Sequence, residues 1–296
     1  MLIRMLVYLV FFLGAGSSLA ANTPIYFENV TILVSSCDKY QELWKPFYTL
    51  LFKAWPSLKT YNSHIPIVMI GNKKTYDDPR IKMVLTGEDK SWSDNMLLAL
   101  KEIKTDYVLV ILEDYYFDKP VNEARLKEVF LGMQKAKAVY LQIACPCMKK
   151  EMLGENYPGL KGVNIRPKHS QYRTTLQAAI WSKKTLEWLL KSGESAWDFE
   201  IPGSIRSEGI IEPFLVVIED TPFSYLNGAQ DGYWNHKALE FIRAQGIEMK
   251  NLKLPIDEEH KAHLWYKRSV LPFLYWDIYL PFKKWFHKAT KKVGIT

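Results

Sequence analysis

TDYVLVILEDYYFDKPV, Thr105 to Val121, is the stretch on which the fold turns. From Tyr107 to Leu112 every residue is aromatic, β-branched or leucine, with no polar residue alternating between them. A strand exposed on one face alternates. A continuous apolar run of this length, bounded by polar residues, reads as a strand buried on both faces, the kind found in parallel sheets with helices above and below. Glu113 and Asp114 follow with no spacer, and Tyr115 and Tyr116 follow those. Two acids at the C-terminal end of a buried strand are either an acidic loop or a place where a cation, or the phosphates behind it, is held.

Outward from that stretch the pattern repeats. Val30 to Ser36 (VTILVSS) is another buried-type strand that ends in small polar residues. Tyr40 to Trp55 then sets Leu43, Phe47, Leu50, Leu51 and Ala54 at helical spacing, with Pro56 just past the end. Pro66 to Ile70 (PIVMI), closed by Gly71 and Asn72, and Ile81 to Leu85 read as further strands. The helix expected from Asn95 to Ile103 has Ser93 or Asp94 as its N-cap. Asn122 to Lys137 is helical and Ala138 to Ala144 a strand.

Such alternation predicts an α/β fold, a mainly parallel sheet flanked by helices. Ligands of open sheets of this kind sit beyond the carboxyl ends of the strands. Both the Ser35-Ser36-Cys37-Asp38 corner and the Glu113-Asp114 pair fall at such ends. The second half is less regular: an irregular Cys145 to Ser170, a strand from Thr174 to Trp181 and a helix from Lys183 to Lys191. A polar, aromatic connector, SAWDFEIPGSIRSEG, runs from Ser195 to Gly209, followed by a strand from Pro213 to Ile218 and a helix from His236 to Gln245.

The 296 residues are 48% hydrophobic and 24% charged, an ordinary globular composition. The net charge of +7 is concentrated at one end. Residues 261–296 hold eight Lys or Arg against one acid, Asp277, which leaves the other 260 residues neutral. A neutral body with a basic tail does not describe a nucleic-acid groove. Leu264 to Phe286 interleaves nine aromatic residues with Lys and Arg, the pattern of a segment lying in a membrane interface, although Pro272 and Pro281 speak against one straight helix. At the other end, Arg4, an apolar run from Met5 to Ala15, and small residues at Ser18 and Ala20 describe a secretory signal cleaved after Ala20, with an uncleaved signal anchor as the alternative. Cys37, Cys145 and Cys147 are too few for a disulfide framework and read as structural thiols.

Four features in order, SSCDKY at the end of the first strand, SWSDN opening a helix, EDYYF ending a central strand and WDFE in the second half, resemble nucleotide-sugar-dependent glycosyltransferases of the GT-A fold, in particular bacterial enzymes of surface-polysaccharide assembly. The resemblance covers roughly residues 28–240. With the two ends as read above, the chain divides into a signal peptide or anchor at 1–21, a GT-A-like domain at 22–255 and a basic aromatic tail at 256–296. It implies that Ser35, Ser36, Asp38 and Tyr40, with Asp94 and Glu113, contact the donor, and that Asp114 stands where the family's DxD motif holds Mn²⁺ or Mg²⁺. Here Tyr115 replaces the last acid of that motif. Either Asp114 holds the metal with help from elsewhere, such as His236, or no metal is used and cations such as Arg206 and Lys183 meet the phosphates.

The chemistry agrees with these assignments. A departing nucleoside diphosphate gains negative charge that a carboxylate-held cation neutralises. An acceptor hydroxyl needs its proton removed, and in Trp197-Asp198-Phe199-Glu200 an extended backbone would put Asp198 and Glu200 on one side, with Glu200 favoured as the base. The partners expected are a nucleotide-sugar donor, a glycan or lipid-linked acceptor and a membrane surface. The competing reading is a non-catalytic carbohydrate-binding envelope protein. A nucleotidyltransferase would carry a Gly-rich basic loop after the first strand, and SSCDKYQELW has none.

Overall fold

A computed structural model describes residues 29–256, apart from 60–63, 145–151, 231 and 250–251. The expected leader, Cys145 and Cys147, and the tail from 257 onward lie outside the described residues. No helix among the described residues is long and apolar enough to cross a membrane.

The centre is a nine-stranded sheet. In chain order its strands are β1 (Val30–Ser35), β2 (Ile67–Gly71), β3 (Ile81–Leu85), β4 (Tyr107–Leu112), β6 (Tyr140–Gln142), β7 (Glu155–Asn156), β8 (Val163–Ile165), β9 (Ala179–Ser182) and β10 (Phe214–Val217). In space they are ordered β3-β2-β1-β4-β9-β6-β10-β8-β7. The first four are parallel to one another, and β6 is parallel to β10. Only β9 and β8 run against the rest, so seven of nine strands point one way. The stretch from Tyr107 to Leu112 is the central strand that its composition predicts, paired with β1 from Val30↔Tyr107 to Ser35↔Leu112 and with β9 on the other side.

Both faces are covered, which is why the strands need no polar residue in alternation. Val30, Ile32 and Val34 of β1, with Leu109 and Ile111 of β4, share one core with the buried faces of helices α1 (Gln41–Ala54), α3 (Glu123–Lys135) and α7 (His236–Ala244). Leu33, Val108 and Val110 point the other way, to a second core. That core is closed by α2 (Trp92–Glu102), α4 (Lys183–Leu189) and α5 (Ala196–Glu200), the last followed by α6 (Pro202–Ser207). Each apolar side chain moved out of water in these layers is worth about 1.5–3 kcal/mol. Four short strands complete the fold: β5 (Tyr115–Phe117) pairs with β11 (Tyr225–Asn227), and β12 (Ala229–Gln230) with β13 (Tyr233–Trp234).

Four expectations need correction. The strand expected from Thr174 begins only at Ala179, because the amide and hydroxyl of Thr174 are engaged by Ser204 Oγ and the Phe199 carbonyl rather than by a neighbouring strand. The irregular 145–170 region contains β7 and β8, which extend the sheet antiparallel from β10. The WDFE segment is helical, not extended. Ser195 Oγ accepts from the Asp198 amide while the Asp198 carboxylate accepts from the Ser195 amide, and this reciprocal cap starts α5. The N-cap of α2 is Ser91, whose hydroxyl accepts from the Asp94 amide.

Candidate active site

The ends of β1 and β4 lie side by side, so the register that pairs Ser35 with Leu112 carries Ser36 to Glu113. The Ser36 hydroxyl is hydrogen-bonded to the Glu113 carboxylate and also accepts from Trp44 Nε1 at 2.7 Å. Ser35 Oγ accepts from Trp92 Nε1 at 2.9 Å. The two serine hydroxyls are therefore positioned by indoles, one from each core: Trp44 on α1, the helix after β1, and Trp92 on α2, the helix after β3.

Glu113 is buried, and burial followed by the adjacent Asp114 charge pushes its carboxyl well above the usual range. Asp114 is raised to about 7, also chiefly by burial. Its backbone carbonyl accepts from the Gly228 amide at 2.6 Å, and Oδ2 takes a long 3.4 Å bond from the Ala229 amide. Oδ1 is buried and takes no hydrogen bond from the described residues. The strap at 228–229 reaches this turn because residue 228 is glycine: a Cβ there would sit 2.2 Å from the Tyr116 ring. The Cys37 thiol, close enough to feel Glu113 and Asp89, is pushed to about 11 by burial first and by those acids next. Both effects favour its thiol form over the thiolate.

Glu200 ends α5 at the same edge of the sheet. Its Oε1 accepts from the Leu176 amide at 2.7 Å and from Thr175 Oγ1 at 3.0 Å. Oε2 takes no hydrogen bond from the described residues. Burial raises its pKa, and the two hydrogen bonds and the charge of Arg166 oppose that shift. One residue links this carboxylate to the acid pair: the Leu176 amide donates to Glu200 while its carbonyl accepts from Tyr115 Oη at 2.8 Å, and Tyr115 directly follows Asp114. Tyr115 stacks on Tyr225 at 4.1 Å, and Tyr225 Oη donates to Gln177 Oε1 at 2.7 Å.

Other residues expected at the site are placed elsewhere. Asp38 uses both carboxylate oxygens on the backbone amides of Asn72, Lys73 and Lys74, at 2.8–3.2 Å, and so fastens the loop after β2 to the corner after β1. Tyr40 is half-buried against the core, with Lys39 Nζ 5.4 Å from its ring centre. Asp94 accepts from Ser91 Oγ and from the Gly193 amide, joining the start of α2 to the turn before α5. Asp198 is an exposed cap residue, and the helix turns it to another side from Glu200. Of the two aromatic flanks, Phe199 is buried against Trp92 and Trp181, and only Trp197 is exposed. His236 opens α7, half-exposed, with Nδ1 3.6 Å from Glu240. No cluster of three or more His, Cys, Asp or Glu suited to a metal occurs among the described residues.

The two cations suggested for the phosphates are engaged with other partners. Arg206 makes a two-pronged pair with Glu194, both contacts at 2.6 Å. Lys183 Nζ donates to the Ile103 carbonyl at 2.7 Å, at the opposite edge of the sheet from Glu113. The reason is topological: β9 runs antiparallel to β4, so the residue after β9 emerges where β4 begins. The sequence reading missed three participants. Arg166, buried beside Gln142 with Nη1 donating to Oε1 at 3.1 Å, feels the Glu200 charge. Thr175 and Leu176 anchor the base candidate. A single Arg or Thr has no periodic signal, and only the folded loop brings these residues to Glu200.

No protein-family model matches this sequence, and no curated protein matches it. Among solved structures, S. aureus TarS 1-349 in complex with UDP-GlcNAc is similar at a TM-score of 0.49 and 13% identity, covering 83% of this chain and 74% of that one. The mannosyltransferase PcManGT from Pyrobaculum calidifontis, in complex with GDP-Man and Mn²⁺, gives 0.45 and 11%, covering 73% and 61%. A UDP-glucose pyrophosphorylase complexed with UDP-glucose gives 0.40 and 10%, covering 67% and 91%. This chain spans 42% of the longer S. aureus TarS chain. At these identities and TM-scores no property of those proteins passes to this chain through the likenesses.

Proposed function

We propose that this chain is a glycosyltransferase that moves a sugar from a nucleoside-diphosphate donor to a glycan or lipid-linked acceptor in surface-polysaccharide assembly. The observation that carries this reading is the convergence, at the carboxyl edge of one sheet, of the Ser35–Ser36 corner, the Glu113–Asp114 pair and a Glu200 carboxylate held through Oε1. In the reaction the acceptor oxygen bonds to the anomeric carbon, the bond from that carbon to the diphosphate oxygen breaks, and the acceptor proton goes to Glu200 Oε2. The bonds to Oε1 fix the carboxylate for that transfer, and burial raises its basicity. Thr175 and Leu176 are positioning residues.

The residues at Asp114 fit a hard divalent cation in part. Oδ1 is an orphaned buried acceptor, and a second carboxylate lies next to it, a pair that repels unless a cation or a proton intervenes. Asp114, with Glu113, would hold Mg²⁺ or Mn²⁺, and when bound the ion would neutralise charge on the diphosphate. Glu113 also orients Ser36.

Transfer or hydrolysis of labelled UDP-, GDP- and CMP-linked sugars by the purified protein tests the proposal. No turnover and no binding of any of them refutes it. The competing carbohydrate-binding reading draws on Trp188 and Trp197, 60% and 52% exposed on neighbouring helices. It requires glycan binding that is indifferent to Asp114→Ala and no affinity for nucleotides.

A further inference from the structure

A cavity of about 350 Å³ opens on the outer side of the corner after β1. Its walls come from the start of α1 (Glu42, Lys45), from Lys74 and Tyr76 after β2, and from Met249, Leu252 and Lys253 beyond α7. Glu113, Asp114 and Glu200 do not line it, and it shares only Asp38 and Trp44 with the site described above. The volume suits a small ligand.

Four lysines line it, Lys39, Lys45, Lys74 and Lys253, against Asp38, Glu42 and Glu248, so the formal charge of the lining is +1. The decisive point is which groups retain hydrogen-bonding capacity. Asp38 is occupied by three backbone amides. Glu42 accepts from Trp234 Nε1 at 2.6 Å and from the Lys253 and Leu254 amides at 2.7 and 3.0 Å. These two acids hold the walls together and have little left to offer the lysines. None of the four lysines is in a salt bridge among the described residues, and all four are exposed. Lys74 Nζ donates once, to the Asp38 carbonyl at 3.3 Å, and keeps two further hydrogens. The ring of Tyr76 is backed by a stack on Tyr48 at 4.9 Å, which stiffens the wall beside Lys74. Spare ammonium donors around a concave site with an aromatic wall, two of whose three acids are spent on the walls, select a compact anion attached to an organic body.

We propose that this cavity binds a phosphate-bearing ligand, its phosphate taken by Lys45 and Lys74 and its organic part set against Tyr76 and Met249. The site is independent of the donor corner and of the reaction proposed above. Calorimetry on the full chain with glucose 1-phosphate and with UMP tests it, glycosyl phosphate and nucleotide being the two sources of this chemistry. Saturable binding of either ligand is expected, the tighter one naming the source, with affinity at least tenfold weaker in Lys45→Gln/Lys74→Gln. Both lysines are exposed, and an unchanged melting temperature shows that the variant folds. A nucleotide sugar titrated into the same two proteins reads the donor corner separately and is expected to bind both alike. The proposal is overturned if neither phosphate binds the parent chain, if the double variant binds them equally well, or if the double variant loses the nucleotide sugar to the same extent.

Discussion

The Glu113–Asp114 pair and Glu200 are carboxylates at the same edge of one sheet, Glu113 buried and the other two half-buried, yet the fold treats them differently. Glu200 has two donors on Oε1 and a buried arginine within electrostatic reach. Among the described residues, Asp114 takes one long bond on Oδ2 and none on Oδ1, and its immediate neighbour is a second acid. A carboxylate with good donors is a pre-organised anion, ready to take a proton from a substrate. A carboxylate left without them is an unfinished site, costly to ionise until a cation arrives. The difference separates a base from a cation holder without reference to any sequence motif.

The sharpest way to break that comparison is at Glu200. Glu200→Gln keeps the shape and an acceptor for Leu176 and removes the basic oxygen. Transfer should fall by about 10²–10⁴-fold while nucleotide-sugar affinity stays within a few-fold, measured by product formation and by calorimetry. Transfer at the parental rate would remove Glu200 from the chemistry.

Next is Asp114→Asn, which should lower transfer by about two orders of magnitude if several kcal/mol of charge neutralisation pass through that oxygen. It should also stabilise the protein at high pH. The folded-state pKa of Asp114 is about 7 against an ordinary 3.8, so folding takes up a proton between those values and its contribution to stability falls as pH rises through that window. Glu113 shifts in the same direction. Melting temperatures of parent and variant should therefore be close near pH 5, with the variant higher at pH 8. Mn²⁺ should close that gap by stabilising the parent alone. A parent that gains stability over the variant between pH 5 and 8 would mean that the chain already supplies a positive partner.

The two acid sites also differ in how far the sequence reveals them. The Glu113–Asp114 pair is legible because it ends a continuous apolar strand, and strand ends of parallel sheets have one direction. The same logic fails after β6. There β9 and β8 reverse, and a short buried strand carries no mark of its direction, so Lys183 reads as a site cation and lands at the opposite edge. Glu200 is legible as an acid near aromatic residues, but its partners are not. Ser195 and Asp198 do carry a readable signal, a serine three residues before an acid, and that cap is what makes WDFE a helix and separates Asp198 from Glu200.

A smaller effect is expected at Thr175. Thr175→Val removes one of the two donors to Glu200 Oε1 and leaves the Leu176 amide in place. A hydrogen bond to a charged group is worth about 1.5–3 kcal/mol, so the carboxylate should become both less fixed and harder to ionise. The acidic limb of the kcat profile should move to higher pH, with transfer at neutral pH reduced about tenfold and KM for the donor little changed. A rise in KM with an unshifted pH profile would place Thr175 at the donor instead of behind the base.

The smallest effect separates the two acids of WDFE. Asp198→Ala breaks one half of the cap on α5 and leaves the Thr175, Leu176 and Arg166 partners of Glu200 untouched. Because α5 is also fixed by buried Phe199 against Trp92 and Trp181, the helix survives the loss of its cap bond. A slightly lower melting temperature with transfer within a few-fold of the parent is expected from paired melts and rate measurements. Loss of transfer with no change in melting would reverse the assignment, because a cap residue acts on the helix before it acts on the reaction, whereas a base acts on the reaction alone.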